Sequence, residues 1–317
     1  MAGLKLIKGA LVAGVFAAMA AAPVAADGHG LPEVTPIVTT AAGDVQGFKD
    51  EGVEAYLGLR YAKAPIGELR FEPPVAPDAW EGIYDATSLG APAMQMYSAS
   101  GPRTSDFTRQ IQTIFPTQGE AKIDNEDALF LNVWTPASDD AKRPVMVWFH
   151  GGGYAYGSGG WPAYDGRNLA AKGDVVVVTV NHRLNAFGYM FLGHKFGEDY
   201  ADTGNLGNLD LIASLEWVRD NIEAFGGDPE NVTIMGESGG GSKVSHLLAT
   251  PAADGLFHKA IIQSGPGVTG VSVDDAVETA DLILEKAGIE TVEDLKTIPA
   301  DDLIAAARAA DAELDTG

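Results

Sequence analysis

Cysteine is absent from the 317 residues. That excludes disulfides, thiolate metal sites and a cysteine nucleophile, so stability has to come from packing. Basic residues are scarce as well, 21 Lys and Arg against 44 Asp and Glu, for a formal charge of -23. Phosphate backbones and anionic membrane surfaces attract basic patches, so nucleic acid is not an expected partner. Long apolar runs are missing beyond the N-terminus. The run there, Gly9 to Ala22, is shorter than the roughly 20 residues a bilayer span needs. Lys5 and Lys8 precede it, and Pro23 and the small residues Val24, Ala25 and Ala26 follow. This is the layout of a secretory signal with cleavage after Ala26. The expectation is an exported protein, periplasmic or secreted, with no stable membrane insertion once residues 1–26 are removed.

What is present suits a folded globular chain: 46% hydrophobic and 21% charged residues. Residues 34 to 85 mix short apolar runs with Gly and Pro, which predicts short strands in an antiparallel hairpin or meander. Residues 86 to 125, rich in Ala, Ser, Pro and Gly, predict a long irregular excursion. From Leu129 the runs "LFLNVWTP", "RPVMVWFHGGG", "DVVVVTVNHR" and "NVTIMGES" are nearly continuous and apolar, as in strands buried on both faces in the middle of a sheet. Between the third and fourth, Leu211, Leu215, Val218 and Ile222 recur at helical spacing until Gly226 and Gly227. Strand and helix alternating in this way predict an α/β fold with a mostly parallel central sheet flanked by helices. Two further helices are expected in "AVETADLILEKAG" and "PADDLIAAARAADAEL".

The stretch "VTIMGESGGGSK" admits two chemistries. A phosphate loop needs lysine directly after its last glycine and a hydroxyl next. Here the order is Gly241, Ser242, Lys243, and one residue on a helix rotates a side chain by about 100°. A nucleophile elbow needs glycines two positions either side of the serine, because the strand-to-helix turn has no room for side chains there. Gly236 and Gly240 flank Ser238 in that way. Upstream, "VMVWFH" runs into Gly151, Gly152 and Gly153, and consecutive glycines after a buried strand let backbone N–H groups point into a cavity, as an oxyanion hole requires. The hydrolase reading is favoured.

The chain resembles the type B carboxylesterases, the α/β-hydrolase family of the cholinesterases and para-nitrobenzyl esterases. The resemblance rests on "YLGLRYAKAPIGELRF", "EDALFLNV", "HGGGY", "VNHRLNAFGYM", "GNLGNLDL", "FGGDPENVTIMGESGGGS" and "LFHKAIIQSG", in family order from about residue 36 to about 266. It implies Ser238 as nucleophile and the N–H groups of Gly152, Gly153 and Gly239 as the oxyanion hole. It implies supporting roles for Glu237 and Ser264 beside the catalytic histidine, and a structural ion pair between Arg183 and Asp210. Its substrates are small-molecule carboxylic esters, and no metal or organic cofactor is implied. Two departures stand out: Gly239 replaces a common alanine, and Ala93 and Ala128 occupy positions where many relatives carry a disulfide.

In the family's chain order the acid and then the histidine follow the serine, about 100 or more and about 200 positions on. The resemblance therefore makes residues 27–317 the N-terminal portion of such a domain, incomplete at the C-terminus and lacking the triad acid and histidine. Among the six histidines, His246 lies along the elbow helix, roughly 12 Å of helix rise from Ser238. His258 holds a structural position before the next strand, His150 is expected to bond the glycine loop, and His29, His182 and His194 show no catalytic or metal-ligand spacing. The competing reading from another class is a catalytically inactive binding or adhesion module on the same fold.

Overall fold

A computed structural model describes residues 33–96 and 124–314. The expected signal segment and residues 97–123 of the expected excursion lie outside the described residues. The strands are β1 (Glu33–Val34), β2 (Val38–Thr39), β3 (Asp44–Gln46), β4 (Phe48–Asp50), β5 (Val53–Arg60), β6 (Ile83–Asp85), β7 (Phe130–Thr135), β8 (Arg143–Phe149), β9 (Val176–Val180), β10 (Gly227–Glu237) and β11 (Lys259–Gln263). The helices are α1 (Arg167–Gly173), α2 (Asn185–Tyr189), α3 (Gly193–Phe196), α4 (Leu206–Asn221), α5 (Gly239–Leu247), α6 (Val273–Ala287), α7 (Val292–Thr297) and α8 (Ala300–Leu314). No helix among the described residues is long and apolar enough to cross a membrane.

Eight strands form one sheet in the order β1-β4-β5-β7-β9-β8-β10-β11, and β2, β3 and β6 form a small second one. β9, β8, β10 and β11 run parallel to their neighbours in that block. The flank β1-β4-β5-β7 is antiparallel, as is its join to β9. The four apolar runs fill the middle, and the side chains of β7 and β9 alternate between two cores. Leu131, Val133, Val145, Val147, Val176, Val178 and Val180 enter the main core with Leu211, Leu215 and Val218 of α4 and Ile222 just past its end. Trp134 and Val177, one residue out of phase, join Val53, Ala55 and Ala170 of α1 in a smaller cluster. A period of two with both faces covered is what makes these runs continuous in sequence.

α4 ends where expected: a short 3-10 turn, Ile222–Phe225, closes on Gly226 in the left-handed region at φ 79°. A second core gathers Phe71, Phe187, Leu192 and Leu206 with Ile283, Leu284, Leu303 and Ile304 of α6 and α8. Arg70 ties this layer together. Its guanidinium pairs with Glu126 and donates to the Ile298 carbonyl at 2.7 Å, just past α7.

The ion pair expected between Arg183 and Asp210 is present. Nε and Nη2 of Arg183 donate to the two carboxylate oxygens at 2.9 and 2.7 Å, and both side chains are buried. Ala93 and Ala128 touch through one apolar cluster with Leu184, so methyl packing fills the site that the resemblance associates with a disulfide.

Candidate active site

Ser238 stands between β10 and the first residue of α5, with φ 55° and ψ -122°. A non-glycine residue at that angle carries strain of about 1–3 kcal/mol, which persists only when its surroundings over-determine it. Its own N–H donates to the Gln263 carbonyl at 2.9 Å and its carbonyl accepts from Ser242 N–H at 3.1 Å. Glycines make the rest of the turn possible. A Cβ on Gly236 would collide with the Gly240 backbone, and one on Gly265 with the Ser238 carbonyl. The spacing of glycines about the serine therefore has a steric cause.

β8 delivers the glycine loop to the same place, because Gly236 of β10 pairs with Phe149 of β8. A Cβ on Gly151 would lie 3.4 Å from Ser238 Cβ, and one on Gly239 would run into the Gly153 carbonyl. Gly152 and Gly153 adopt φ 94° and 64°, angles that disfavour any other residue. No described residue accepts a hydrogen bond from the N–H groups of Gly152, Gly153 or Gly239. The sequence-predicted residues thus meet: a strained serine at a helix N-terminus beside three N–H donors without a partner among the described residues. Dipole and donors alike favour negative charge there.

Glu237 ends β10, and its Oε2 approaches the backbone of Gly151. Burial, reinforced by the Glu237 charge, pushes the nearby Tyr164 phenol up to about 12, against a hydrogen bond to the Gly151 backbone. Ser264 follows β11 with φ 54°, exposed, one residue past the Gln263 carbonyl that holds Ser238.

None of the five described histidines bonds the Ser238 hydroxyl. His150 Nδ1 donates to the Gly151 carbonyl at 2.8 Å, the loop contact expected of it. Its ring stacks on His182 at 4.7 Å. Burial, with the Lys243 charge adding, lowers His150 to about 3 and His182 well below the usual imidazole range, so both are neutral at pH 7. His246 Nδ1 lies 3.3 Å from the Tyr154 hydroxyl, His194 pairs with Asp281 at 2.8 Å, and His258 Nδ1 accepts from Val232 N–H at 3.2 Å.

Sequence reasoning missed Lys243. It is fully buried on α5, and its Nζ donates to the Gly153 carbonyl at 3.0 Å, far from the phosphate-binding role weighed for this stretch. The signal was the spacing Gly240, Lys243, Val244, Leu247, which puts the lysine on the helix face that is buried.

The model of the Carboxylesterase family matches residues 34–316. The para-nitrobenzyl esterase of Bacillus subtilis (strain 168) is 45% identical over 273 residues, which cover 86% of this chain and 52% of that protein. Among solved structures, a Geobacillus stearothermophilus carboxylesterase aligns with a TM-score of 0.77 at 47% identity, over 86% of this chain and 53% of that one. An esterase from anaerobic Clostridium hathewayi that can hydrolyse aliphatic aromatic polyesters aligns with a TM-score of 0.78 at 43% identity, over 90% and 56% of the two chains. The chain spans about half the length of these relatives.

Proposed function

The chain belongs to the carboxylesterase family and carries its α/β-hydrolase fold, and from that premise we propose that it is the N-terminal part of a serine hydrolase of small-molecule carboxylic esters. Ser238 Oγ attacks the ester carbonyl carbon, and the N–H groups of Gly152, Gly153 and Gly239 take the oxyanion that forms. Collapse of the tetrahedral intermediate expels the alcohol and leaves an acyl-enzyme, which water hydrolyses to free the carboxylic acid. Glu237 and Ser264 steady the turn beside the imidazole that removes the serine proton.

That imidazole and its acid partner belong, in this reading, to residues outside this chain. Two observations support it: no described histidine bonds Ser238, and the chain matches only 52% of the Bacillus subtilis relative. Export, with cleavage after Ala26, is part of the proposal and rests on the lysines and the short apolar run at the N-terminus.

The observation that carries the reading is the strained Ser238 beside three N–H groups from which no described residue accepts a hydrogen bond. A surface that only binds has no need of a serine held at φ 55°, so the adhesion reading is not favoured. The test is fluorophosphonate labelling of native-host extracts and culture fluid, with a Ser238→Ala strain as control. A serine-dependent labelled band heavier than 33.1 kDa is the expected result. Labelling of a band no heavier than this chain would refute the placement of the base outside it. Protein present and unlabelled would refute the hydrolase reading.

A further inference from the structure

The glycine loop has an unexpected partner on its inner side. Lys243 sits five positions after Ser238 on α5 and is 0% exposed. Its Nζ donates to the Gly153 carbonyl at 3.0 Å and lies 3.5 Å from the His150 carbonyl, with the Tyr154 ring centre 5.1 Å away. Those carbonyls bracket the three glycines: one belongs to the peptide before Gly151, the other to the peptide after Gly153. No salt bridge joins Lys243 to a described carboxylate, and the buried imidazoles that feel its charge, His150 and His182, are neutral. Burying an ammonium without a counter-ion is costly, and burial brings this one down to about 7. A lysine kept there at such a cost points to a task at the loop.

We propose that Lys243 is a positioning residue that clamps the glycine loop from beneath, holding the His150 and Gly153 carbonyls inward so that the intervening N–H groups turn toward Ser238. Three adjacent glycines are the most permissive backbone available, and an oxyanion hole works only if its donors are fixed before charge develops. Peptide groups are rigid planes, so holding these two carbonyls fixes the His150–Gly151 and Gly153–Tyr154 peptides, the two ends of the short segment that carries the Gly152 and Gly153 N–H groups. The aliphatic stem of Lys243 spans the gap between α5 and the loop, and its nitrogen donates whether it carries two protons or three. The proposal rests on the esterase reading for its purpose and on hydrogen-bond geometry for the clamp.

The experiment compares the full native protein with its Lys243→Met variant in two ways. Hydrogen–deuterium exchange over residues 150–157 should speed up about tenfold or more in the variant, while β7, β9 and α4 keep their protection. At saturating ester, kcat should fall by about 10²-fold with KM little changed, because the lost interaction acts on the transition state. Equal loop exchange in a folded Lys243→Met protein overturns the clamp. An unchanged kcat, or a loss carried by KM alone, overturns its catalytic purpose. Should the methionine variant not fold, the absence of cysteine from these 317 residues offers another route, once any cysteine elsewhere in the full protein has been replaced. Lys243→Cys, alkylated with 2-bromoethylamine while unfolded and then refolded, regains an amine of lysine length. Slow loop exchange should return relative to the unalkylated thiol form, and failure to return refutes the clamp. A wild type that no fluorophosphonate labels would count against the esterase reading, and the exchange comparison would still decide the clamp.

Discussion

Gly239 shows how much a single residue decides here. The resemblance places alanine at this position in many relatives, yet in this chain a Cβ would run into the Gly153 carbonyl, the same carbonyl that Lys243 holds. The two sites are therefore coupled through one oxygen. Gly239→Ala has to push the glycine loop outward or strain the elbow, and overpacking of this kind costs about 1–3 kcal/mol of stability. The expected result is a lowered midpoint in denaturant unfolding. Fluorophosphonate capture should also slow by about 10²-fold, the usual effect of displacing a reacting group by an ångström or so. An alanine variant as stable and as reactive as the wild type would contradict the packing described. At this scale the sequence was legible where sterics or backbone angle favour glycine: Gly236, Gly240 and the three-glycine run announce the turn and the loop. For Lys243 only its burial was legible, from its spacing on α5; its task was not, since lysines are seldom fully buried and the carbonyls that receive it come from a segment some 90 positions upstream.

The elements carry the same lesson. β7, β8, β9, β10 and α4 were legible because each buries at least one face in the main core, and burial leaves its period in the apolar pattern. At the flank the antiparallel pairing of β1, β4 and β5 was legible as a hairpin or meander, but the direction of β7 against β5 was not, because it depends on connections far apart in the chain. What joins the elements near the site is partly ionic. The Arg183 to Asp210 pair links the end of β9 to α4, and Arg183 Nη1 also donates to the Glu72 carbonyl at 2.7 Å. With Asp210 fully buried, Asp210→Ala would leave the Arg183 charge in an apolar interior, a change that costs about 3–5 kcal/mol. The same substitution removes the acceptor for Arg183 N–H, so the turn leading into α2 should loosen with it. Denaturant unfolding measures the loss, and a shift below about 1 kcal/mol would mean that water or another residue replaces the carboxylate.

For the whole molecule the governing quantity is charge. With 44 acidic residues against 21 basic ones, the folded chain concentrates like charges that the unfolded chain can spread apart, and self-repulsion of this kind opposes the compact state. Ion pairs relieve it only locally. Arg143 bridges Asp139 and Asp174, and Arg167 bridges Asp50 and Asp165, so basic groups are already shared between acids. Screening by added salt should therefore stabilise the protein near neutral pH, where the Debye length falls from about 30 Å at 0.01 M to about 10 Å at 0.1 M. The effect should fade as the pH approaches the isoelectric point near 4.4, where the net charge that salt screens has vanished. Thermal melts at low and moderate sodium chloride, run at pH 7.5 and again at pH 4.5, test this. The expected pattern is a clear rise in Tm with salt at the higher pH and little or none at the lower. A salt effect of equal size at both would assign it to ion binding or to general strengthening of apolar burial, and self-repulsion would then not be what limits the stability of this acidic chain.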